Sequence, residues 1–289
     1  MMMPKRMLKN ELRRFLREDV GQGDITTEAI VPRGTKILAQ IVLKQPAVVC
    51  GLNEAKVLFE MLGVKFFEKV KDGDEIATDT VIAEIEGDGQ KILTAERTAL
   101  NLLMRMSGIA TETRKLLKEI QKIDPKIKIA ATRKTAPGLR HFDKQAVIVG
   151  GGYPHRMKLD DAFLVKENHI TIAGGTREAL KRIHLSSCSS KKVEVEAKTK
   201  EQAVQAAELG VDIVMLDNMS PKEAAETIKE LSARNLRHKV QIEISGGVTS
   251  ENLISYAMLE PDIISLGLLT HSVRAVDMSL EVIKVNMPS

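Results

Sequence analysis

Residues 192–218 read KVEVEAKTKEQAVQAAELGVDIVMLDN. Two runs rich in β-branched and apolar residues, 192–197 and 211–217, lie on either side of a segment with helical spacing at 200–209. A strand, a helix and a second strand in this order predict a right-handed crossover between two parallel strands. This stretch therefore predicts an α/β fold built on a parallel sheet.

The same rhythm extends over the second part of the chain. The sequence predicts six strands, at 126–132, 162–166, 192–197, 211–217, 240–245 and 262–267. Helices are predicted between the later strands, at about 200–209, 221–234 and 250–258. Repeating units of roughly thirty residues or less are typical of a (β/α) barrel, and six strands instead of eight predict an incomplete one.

Each predicted strand ends on a polar residue or on glycine. In chain order these are Arg133, Lys166, Glu196, Asp217, Ser245 and Gly267. In barrels the carboxyl ends of the strands carry the chemistry, because the loops that follow them converge on one face. A doubly wound open sheet is the alternative fold, but it usually carries a G-x-G-x-x-G turn after its first strand, and this sequence has none.

The first part of the chain mixes short strands and helices. Strands are predicted at 36–43, 46–50, 64–70 and 80–86, and helices at 7–18, 53–62 and 94–122. Asn53 is the expected N-cap of the second helix, and Gly108 is expected to interrupt the third, which is predicted to start at Thr94. This pattern predicts a small α+β sandwich domain over 1–114, followed by the incomplete barrel over 115–275.

The composition indicates a globular protein with an aliphatic core, since the 289 residues are 43% apolar and 28% charged and include no Trp. The net charge of +4 is too small to argue for a nucleic-acid partner. No apolar run approaches the length of a membrane span, so we expect a cytoplasmic protein with no membrane partner. Cys50 and Cys188 form no C-x-x-C pair, which favours two reduced thiols.

Residues 132–169 concentrate positive charge. The basic side chains are Arg133, Lys134, Arg140, His141, Lys144, His155, Arg156, Lys158, Lys166 and His169. A solvated basic surface is the simplest interpretation of such a run. Arg133 and Lys134 follow directly from an apolar strand, however, and Lys166 ends another, so we expect these cations to point into the barrel mouth. Because Arg grips carboxylates with two parallel hydrogen bonds and Lys suits phosphate, this mouth predicts a polyanionic substrate.

Glu196 and Asp217 are carboxylates at the ends of two neighbouring predicted strands. Mg²⁺ prefers one or two carboxylates together with substrate oxygens and water, so this pair predicts a substrate that carries Mg²⁺ on its phosphates. Ordinary ion pairs with nearby Lys or Arg are the alternative interpretation. Alternation along the strand also places Glu194 on the same face as Glu196.

Two loops that contain glycine follow the last two strands, ISGGV at 244–248 and SLGLLTHS at 265–272. Glycine lets backbone N–H groups approach an anion closely, and paired loops at this position form a recurrent phosphate site in barrels. Together with the cations and carboxylates, these loops suit transfer of a phosphorylated sugar to an acidic acceptor. The phosphate site alone would also fit an aldolase or an isomerase.

Several motifs resemble, in the same order, those of the quinolinate phosphoribosyltransferases. They are EDVGQGDITT (18–27), AERTALNLL (95–103), MSGIAT (106–111), TRKT (132–135), PGLR (137–140), GGG-x-x-HR (150–156), VKENH (165–169), VEVE (193–196), MLDN (215–218), SGG (245–247) and THS (270–272). The resemblance covers nearly the whole chain. It implies a type II phosphoribosyltransferase fold, with an N-terminal sandwich, an incomplete barrel and a C-terminal segment, 276–289, that returns to the sandwich. The implied reaction is decarboxylating transfer of phosphoribosyl from phosphoribosyl pyrophosphate to quinolinate in NAD biosynthesis.

The resemblance also implies residue roles. The quinolinate-binding residues would be Arg97, Arg133, His155, Arg156 and Lys166. Those facing phosphoribosyl pyrophosphate would be Lys134, Glu196, Asp217, Ser245, Gly246, Gly247 and Gly267, with Glu196 and Asp217 holding Mg²⁺ partly through substrate and water. Arg97 resembles an arginine that the family donates across a dimer interface, which implies a homodimer and leaves a larger assembly open. The chain departs from the family pattern at 143–145 and at Pro154, which affects loop packing and not the charged positions.

Two alternatives remain open. A nicotinate phosphoribosyltransferase or a molybdenum-transport-associated relative would use the same scaffold, but we would expect it to lose the complete HR and VKENH elements that this chain retains. A biotinyl or lipoyl carrier module is suggested by KVKDGDEIATDTVIAEIEG at 69–87, but no lysine with the expected flanking residues lies between its two halves.

Overall fold

Strands and helices follow one another along the chain in the order that hydrophobic periodicity predicts. The structure is a computed structural model and describes residues 3–188 and 190–287. Its strands are β1 (Lys36–Leu43), β2 (Ala47–Val48), β3 (Lys65–Glu68), β4 (Glu75–Ile76), β5 (Thr80–Asp88), β6 (Lys128–Ala131), β7 (Phe163–Val165), β8 (Val193–Ala197), β9 (Ile213–Asp217), β10 (Gln241–Ser245), β11 (Ile263–Leu266) and β12 (Met278–Asn286). Its helices are α1 (Lys5–Val20), α2 (Ile25–Ile30), α3 (Leu52–Met61), α4 (Gly89–Ile120), α5 (Arg140–Val149), α6 (Glu167–Ala173), α7 (Thr176–His184), α8 (Lys200–Glu208), α9 (Pro221–Ala233), α10 (Leu253–Ala257) and α11 (Leu268–His271).

These elements fall into two units. The first contains the residues up to 114, the segment 137–151 and the residues from 273 onward, and the second contains 115–136 and 152–272. The segment 137–151 was expected within the barrel domain but groups with the first unit, where it contributes α5. No helix in the described part of the chain combines the length and the apolar character needed to span a bilayer.

The second unit contains the predicted parallel sheet. Its strand order is β6-β11-β10-β9-β8-β7, and all of these pairings are parallel. From β7 to β11 each strand lies beside the next one in sequence, as in a barrel. In a doubly wound sheet the order of the strands would reverse partway across the sheet. Among the described residues β6 and β7 do not pair, so the barrel is incomplete, as predicted.

Strand alternation gives this sheet one face with many polar side chains. Met215 lies in register with Glu196 on one side and with Glu243 on the other, and Asp217 lies in register with Ser245. Because side chains alternate between faces every second residue, Glu194 joins the same face as Glu196. The carboxyl ends of neighbouring strands therefore present carboxylates and hydroxyls together.

Local capping explains where the helices between these strands begin. Ser220 accepts a hydrogen bond from the backbone N–H of Glu223, whose side chain accepts one from the Ser220 backbone, and Pro221 occupies the first turn of α9. Thr199 caps α8 by accepting from the backbone N–H of Gln202. These caps start each helix a few residues after a strand that ends near a predicted site residue, Glu196 for α8 and Asp217 for α9.

The first unit is built on a mainly antiparallel sheet of order β12-β1-β5-β3. Strand β12 pairs along the whole of β1, from Lys36 opposite Asn286 to Leu43 opposite Met278. Buried Ile41, Leu43 and Ile85 of this sheet contribute to an aliphatic core, as the shortage of aromatic residues in the sequence predicts.

The long helix α4 differs from its prediction in two ways. It begins at Gly89 and not at Thr94, and it runs through Gly108 without interruption. A Cβ atom at Gly108 would lie 2.1 Å from the carbonyl oxygen of Arg274. Glycine is therefore needed at this position because the chain that leads to β12 passes against the helix, and not because the helix breaks.

Three further local predictions were wrong. The residue that precedes α3 is Gly51, with φ of 105°, and Asn53 lies inside the helix. No helix was predicted between 19 and 35, but this stretch contains α2, which Asp24 caps by accepting a hydrogen bond from the backbone N–H of Thr27. The basic segment 132–169 contains the unpredicted helix α5.

Candidate active site

A cavity of about 490 Å³ lies at the carboxyl ends of the parallel strands, with its whole lining in the second unit. Its walls combine cations, carboxylates, hydroxyls and glycine. The lining residues are Ala131, Thr132, Arg133, Lys134, His155, Arg156, Leu164, Lys166, Glu196, Met215, Asp217, Asn218, Glu243, Ser245, Gly246, Gly247 and Ser265. Most of the residues that the sequence singled out therefore surround one space.

Two arginines give the cavity its strongest anion-binding feature. The Nε atom of Arg133 is buried and has no hydrogen-bond partner among the described residues. Burial, together with the neighbouring charge of Arg133, lowers the pKa of Arg156. Two guanidinium groups held close together, one with an unsatisfied buried donor, favour binding of a ligand with carboxylate oxygens.

Lys166 and Glu196 form an ion pair across the cavity wall. Lys166 follows β7 and its backbone N–H donates to Nδ1 of His169 over 3.0 Å, which holds the start of α6. Glu196 lies on β8 and is mostly buried. This pairing is the alternative role that the sequence left open for Glu196.

Asp217 is half-buried at the end of β9 and lines the same cavity. Among the residues described, its carboxylate takes part in no ion pair. Lys198 lies near both acids, and hydrogen bonding to Glu167 with smaller contributions from Asp217 and Glu196 raises the pKa of Lys198. The Asp217 oxygens are thus accessible to a cation or a hydroxyl in the cavity.

The loop after β10 is shaped for close backbone approach. Gly246 and Gly247 have φ angles of 84° and 63°, a region that favours glycine. A Cβ atom on Gly246 would lie 2.4 Å from the side-chain oxygen of Asn218, so no larger residue fits there. The Asn218 backbone N–H donates to the Ser245 carbonyl over 2.9 Å, which ties this loop to the one after β9.

The loops after β6 and β11 also meet. Thr270 Oγ1 donates to the carbonyl of Lys134 over 2.9 Å, and a Cβ atom on Gly267 would lie 3.4 Å from the Lys134 side chain. Gly267 is not among the lining residues but contacts one of them. The THS motif thus holds the main chain of Lys134 at the cavity.

His155 reaches the cavity from an unusual backbone conformation. Tyr153 pairs with the open edge of β6 through backbone bonds to Ala131 and Ile129, and His155 then adopts a φ of 54°. Its Nε2 atom lies 3.0 Å from Glu243 and 3.2 Å from Glu194. Burial alone lowers the pKa of His155, but hydrogen bonds to Glu194 and Glu243 outweigh it and raise the pKa to about 9.

Some basic residues of the segment 132–169 do not reach the cavity. Arg140 and Lys144 lie on α5 in the first unit, where Lys144 is buried. Lys158 is exposed and its backbone N–H donates to Asp161. Arg97 is exposed on α4 in the first unit and is not among the lining residues of the described chain.

Three polar lining residues were absent from the sequence prediction of the site. Glu243 and Ser265 lie two residues before Ser245 and Gly267, so alternation along β10 and β11 could have found them. Asn218 lines the cavity with φ of 57°, a left-handed conformation that the sequence does not reveal.

Comparison with protein families gives two matches that together span nearly the whole chain. Residues 24–107 match the model described as quinolinate phosphoribosyl transferase, N-terminal domain, and residues 109–281 match the corresponding C-terminal domain. A relative from Methanothermobacter thermautotrophicus is 45% identical over 94% of this chain and 97% of its own. A Mycobacterium leprae relative is 37% identical over 94% of this chain and 96% of its own. They are named probable nicotinate-nucleotide pyrophosphorylase [carboxylating] and nicotinate-nucleotide pyrophosphorylase [carboxylating], respectively.

A solved structure agrees with these matches. The chain resembles the nicotinate-nucleotide pyrophosphorylase of Francisella tularensis with a TM-score of 0.90 and 35% identity, over 97% of this chain and 98% of that one. A human nicotinic acid phosphoribosyltransferase is 12% identical with a TM-score of 0.57, which is a likeness of fold alone.

Proposed function

The chain belongs to the quinolinate phosphoribosyltransferase family, and from this premise we propose that it makes nicotinate mononucleotide from quinolinate and phosphoribosyl pyrophosphate. Pyrophosphate and CO₂ are the other products, and the reaction is a step of NAD biosynthesis. The observation that carries the proposal is the buried, unpartnered Nε of Arg133 beside Arg156 in a cavity that also contains carboxylates and a glycine loop.

The dicarboxylate end of the cavity is formed by cations on three different segments. Arg133 follows β6, His155 and Arg156 follow the residue that pairs with β6, and Lys166 follows β7. A substrate with two adjacent carboxylates can accept from the buried, unpartnered Nε of Arg133 and contact the neighbouring cations at the same time, which a single carboxylate does less well. This supports quinolinate over nicotinate as the acceptor.

The sugar-phosphate end is formed by the loops after β10 and β11 and by Lys134. Ser245, Gly246 and Gly247 offer a hydroxyl and closely approachable backbone N–H groups, which suit the 5-phosphate. Lys134, held by Thr270, suits the pyrophosphate as a mobile point charge. A Cβ atom on Gly267 would lie 2.9 Å from the ring of His271, so glycine at this position makes room for the THS segment that holds Lys134.

Glu196 and Asp217 fit a magnesium ion by their chemistry, since they are hard oxygen donors on neighbouring strands at the same cavity. Asp217 would bind the ion or its water directly. Glu196 would do so once its carboxylate exchanged the ion pair with Lys166 for the metal. Bound Mg²⁺ would supply charge stabilisation for the departing pyrophosphate.

The chain's own residues orient the remaining chemistry. The cations around Arg133 bind the two carboxylates and aim the pyridine nitrogen at the anomeric carbon of the ribose, where it forms a C–N bond as pyrophosphate leaves. The ring then carries a positive charge and accepts the electron pair of the C2–carboxylate bond as CO₂ departs, and C2 takes a proton from solvent. The same cations must hold the dianion without over-stabilising it relative to the transition state.

The decisive experiment supplies purified protein with phosphoribosyl pyrophosphate, Mg²⁺ and either quinolinate or nicotinate. We expect nicotinate mononucleotide and CO₂ from quinolinate and no nucleotide from nicotinate. Nucleotide from nicotinate alone would keep the phosphate site but overturn the acceptor, and no product from either substrate would overturn the proposal.

Replacing Asp217 by Asn tests the proposed metal role. We expect a rise of roughly tenfold or more in the Mg²⁺ concentration needed for half-maximal activity, because one anionic donor is lost. The matched control is Asp212→Asn, at the residue that immediately precedes the same strand and lies away from the cavity lining. An unchanged Mg²⁺ requirement in Asp217→Asn would remove Asp217 from the metal site.

We also propose a homodimer in which Arg97 of one subunit contributes to the cavity of the other. The exposure of Arg97 on α4 and the family membership support this arrangement.

A further inference from the structure

Two buried glutamates lie on the cavity side of the parallel sheet and have no part in the function proposed above. Glu194 on β8 is 2% exposed and Glu243 on β10 is 0% exposed. Carboxylates are rarely this buried unless they are paired, because removing an ionised group from water is costly. Their burial therefore calls for a partner of opposite charge.

That partner is His155. Its Nε2 atom lies 3.0 Å from Oε2 of Glu243 and 3.2 Å from Oε2 of Glu194, so both acids share the same ring nitrogen. These are hydrogen-bond lengths, and a proton on Nε2 accounts for the cluster without a metal ion. Ser265 on β11 donates its hydroxyl to the other oxygen of Glu243, which fixes that carboxylate on both sides.

Three further groups act on this cluster. Arg156 lies near Glu194, and Arg133 lies near Arg156, so both add positive charge on the cavity side. The ring of Tyr153 lies 6.1 Å from the ring of His155, and burial together with the two glutamates raises the pKa of Tyr153, which keeps it neutral. The two glutamates are therefore the acidic groups that face the imidazole.

The shared nitrogen decides what the other ring nitrogen can do. A neutral imidazole with its proton on Nε2 has an acceptor at Nδ1, which would repel a substrate carboxylate. An imidazolium has a donor at Nδ1, which would bind one. Two carboxylates on Nε2 stabilise the imidazolium, in agreement with the raised pKa of about 9.

We infer that Glu194 and Glu243 are positioning residues that hold His155 as an imidazolium, so that its Nδ1 donates a hydrogen bond to a carboxylate of the acceptor substrate. This inference rests on the proposed function only for the identity of that carboxylate. The left-handed backbone at His155, with φ of 54°, is a strained conformation of the kind found where surrounding contacts fix a functional side chain.

The first test is a pH titration of His155 in the wild-type protein. NMR of ¹⁵N-labelled histidine monitors it, and the His155→Asn variant identifies which resonance belongs to His155. We expect His155 to stay protonated on both nitrogens to about pH 9, against an ordinary midpoint of 6.5. A midpoint near 6.5, or a neutral ring at pH 7, would overturn the inference. This measurement needs no substrate, so it is independent of whether the proposed reaction is correct.

The second test uses Glu243→Gln, which keeps the shape of the side chain and removes its charge. We expect the KM for quinolinate at pH 8 to rise roughly tenfold or more, since a charge-assisted hydrogen bond to the substrate is weakened. The KM for phosphoribosyl pyrophosphate should change little, and the His155 midpoint should fall toward 6.5. Glu243→Asp should recover part of both effects because it restores the charge.

Two companion variants keep this test decisive. Ser265→Ala removes only the hydroxyl that orients Glu243 and should give a smaller change in the same direction, even where Glu243→Gln does not fold. Glu54→Gln removes a carboxylate that is also buried, at 6% exposure, in the first unit and should leave the KM for quinolinate unchanged. If the Glu243 and Ser265 variants leave both the His155 midpoint and the KM for quinolinate unchanged, or change both substrate KM values equally, the glutamates have only a structural role and the inference is wrong.

Discussion

At the scale of single residues, Arg133 shows how a strand end becomes a binding group. The apolar strand β6 fixes the main chain, and the polar residues after it have no place in the core, so they turn into the cavity. The Nε of Arg133 is buried there without a partner. Leaving a buried donor unpaired costs about 1–3 kcal/mol, which the ligand-free protein carries and a bound carboxylate would relieve.

Replacing Arg133 by Ala should therefore abolish turnover without unfolding the protein. We expect kcat/KM for quinolinate to fall by roughly a hundredfold or more, because a bidentate contact to a carboxylate is lost. Steady-state kinetics and a thermal melt measure the two effects. Arg140→Ala, on α5 outside the cavity lining, is the matched control, and unchanged turnover in Arg133→Ala would remove the assignment.

His155 should make the stability of the protein depend on pH. Its pKa of about 9 in the folded state lies above its ordinary 6.5, so its contribution is complete below about pH 6.5 and is lost as the pH rises through about 9. The contribution is at most roughly 3–4 kcal/mol, since each unit of pKa corresponds to about 1.4 kcal/mol.

Urea denaturation of the wild-type protein and of His155→Gln between pH 6 and 10 measures this contribution. The difference in free energy of unfolding between the two proteins should shrink between about pH 6.5 and about pH 9 and change little above that. A difference that stays constant with pH would contradict the ion pair with Glu194 and Glu243.

At the scale of elements, Gly108 shows that a glycine inside a helix has more than one meaning. The sequence indicates an interruption there, because glycine weakens a helix by about 1 kcal/mol relative to alanine. Helix α4 instead continues, and the missing side chain makes room for the Arg274 carbonyl. The sequence could not reveal this, since the contact joins residues far apart in the chain.

Gly108→Ala should consequently destabilise the first unit despite the better helix propensity of alanine. A Cβ atom 2.1 Å from a carbonyl oxygen forces the backbone apart, for a net loss of roughly 1–3 kcal/mol in the free energy of unfolding. Denaturant midpoints measure it. Gly174→Ala is the control, because a Cβ atom there has a left-handed φ of 87° to tolerate but no atom within 4 Å to clash with. A Gly108→Ala variant that is more stable than the wild-type protein would contradict the packing argument.

At the scale of the whole molecule, the proposed homodimer would share its active sites. If Arg97 acts in the partner's cavity, then Arg97→Ala and Lys134→Ala damage the same site from two different chains. Each variant alone should be nearly inactive. A mixed dimer would contain one site with both residues intact.

Mixing the two variants in equal amounts after dissociation should therefore restore activity to roughly a quarter of the wild-type value, since half the dimers are mixed and each has one intact site. Activity assays before and after mixing, with size-exclusion chromatography for the oligomer, measure this. No recovery in a mixture shown to exchange subunits would place Arg97 in its own subunit's site or outside any site.

Much of this protein was determined by its sequence alone. The six parallel strands, the polar residue at the end of each and the glycine loop at 245–247 were predicted because local periodicity and backbone preference depend on near neighbours in the chain. The family motifs agreed with that reading. These features set the fold class and the chemical character of the cavity.

Only the tertiary structure decided which charged residues act together. Lys144 and Lys166 both belong to the basic segment, yet one is buried on α5 in the first unit and the other lines the cavity. Glu194 and Glu243 lie on strands separated by β9, yet both contact His155. Such contacts depend on strand order and on the path of distant loops, and local sequence preference carries no information about either.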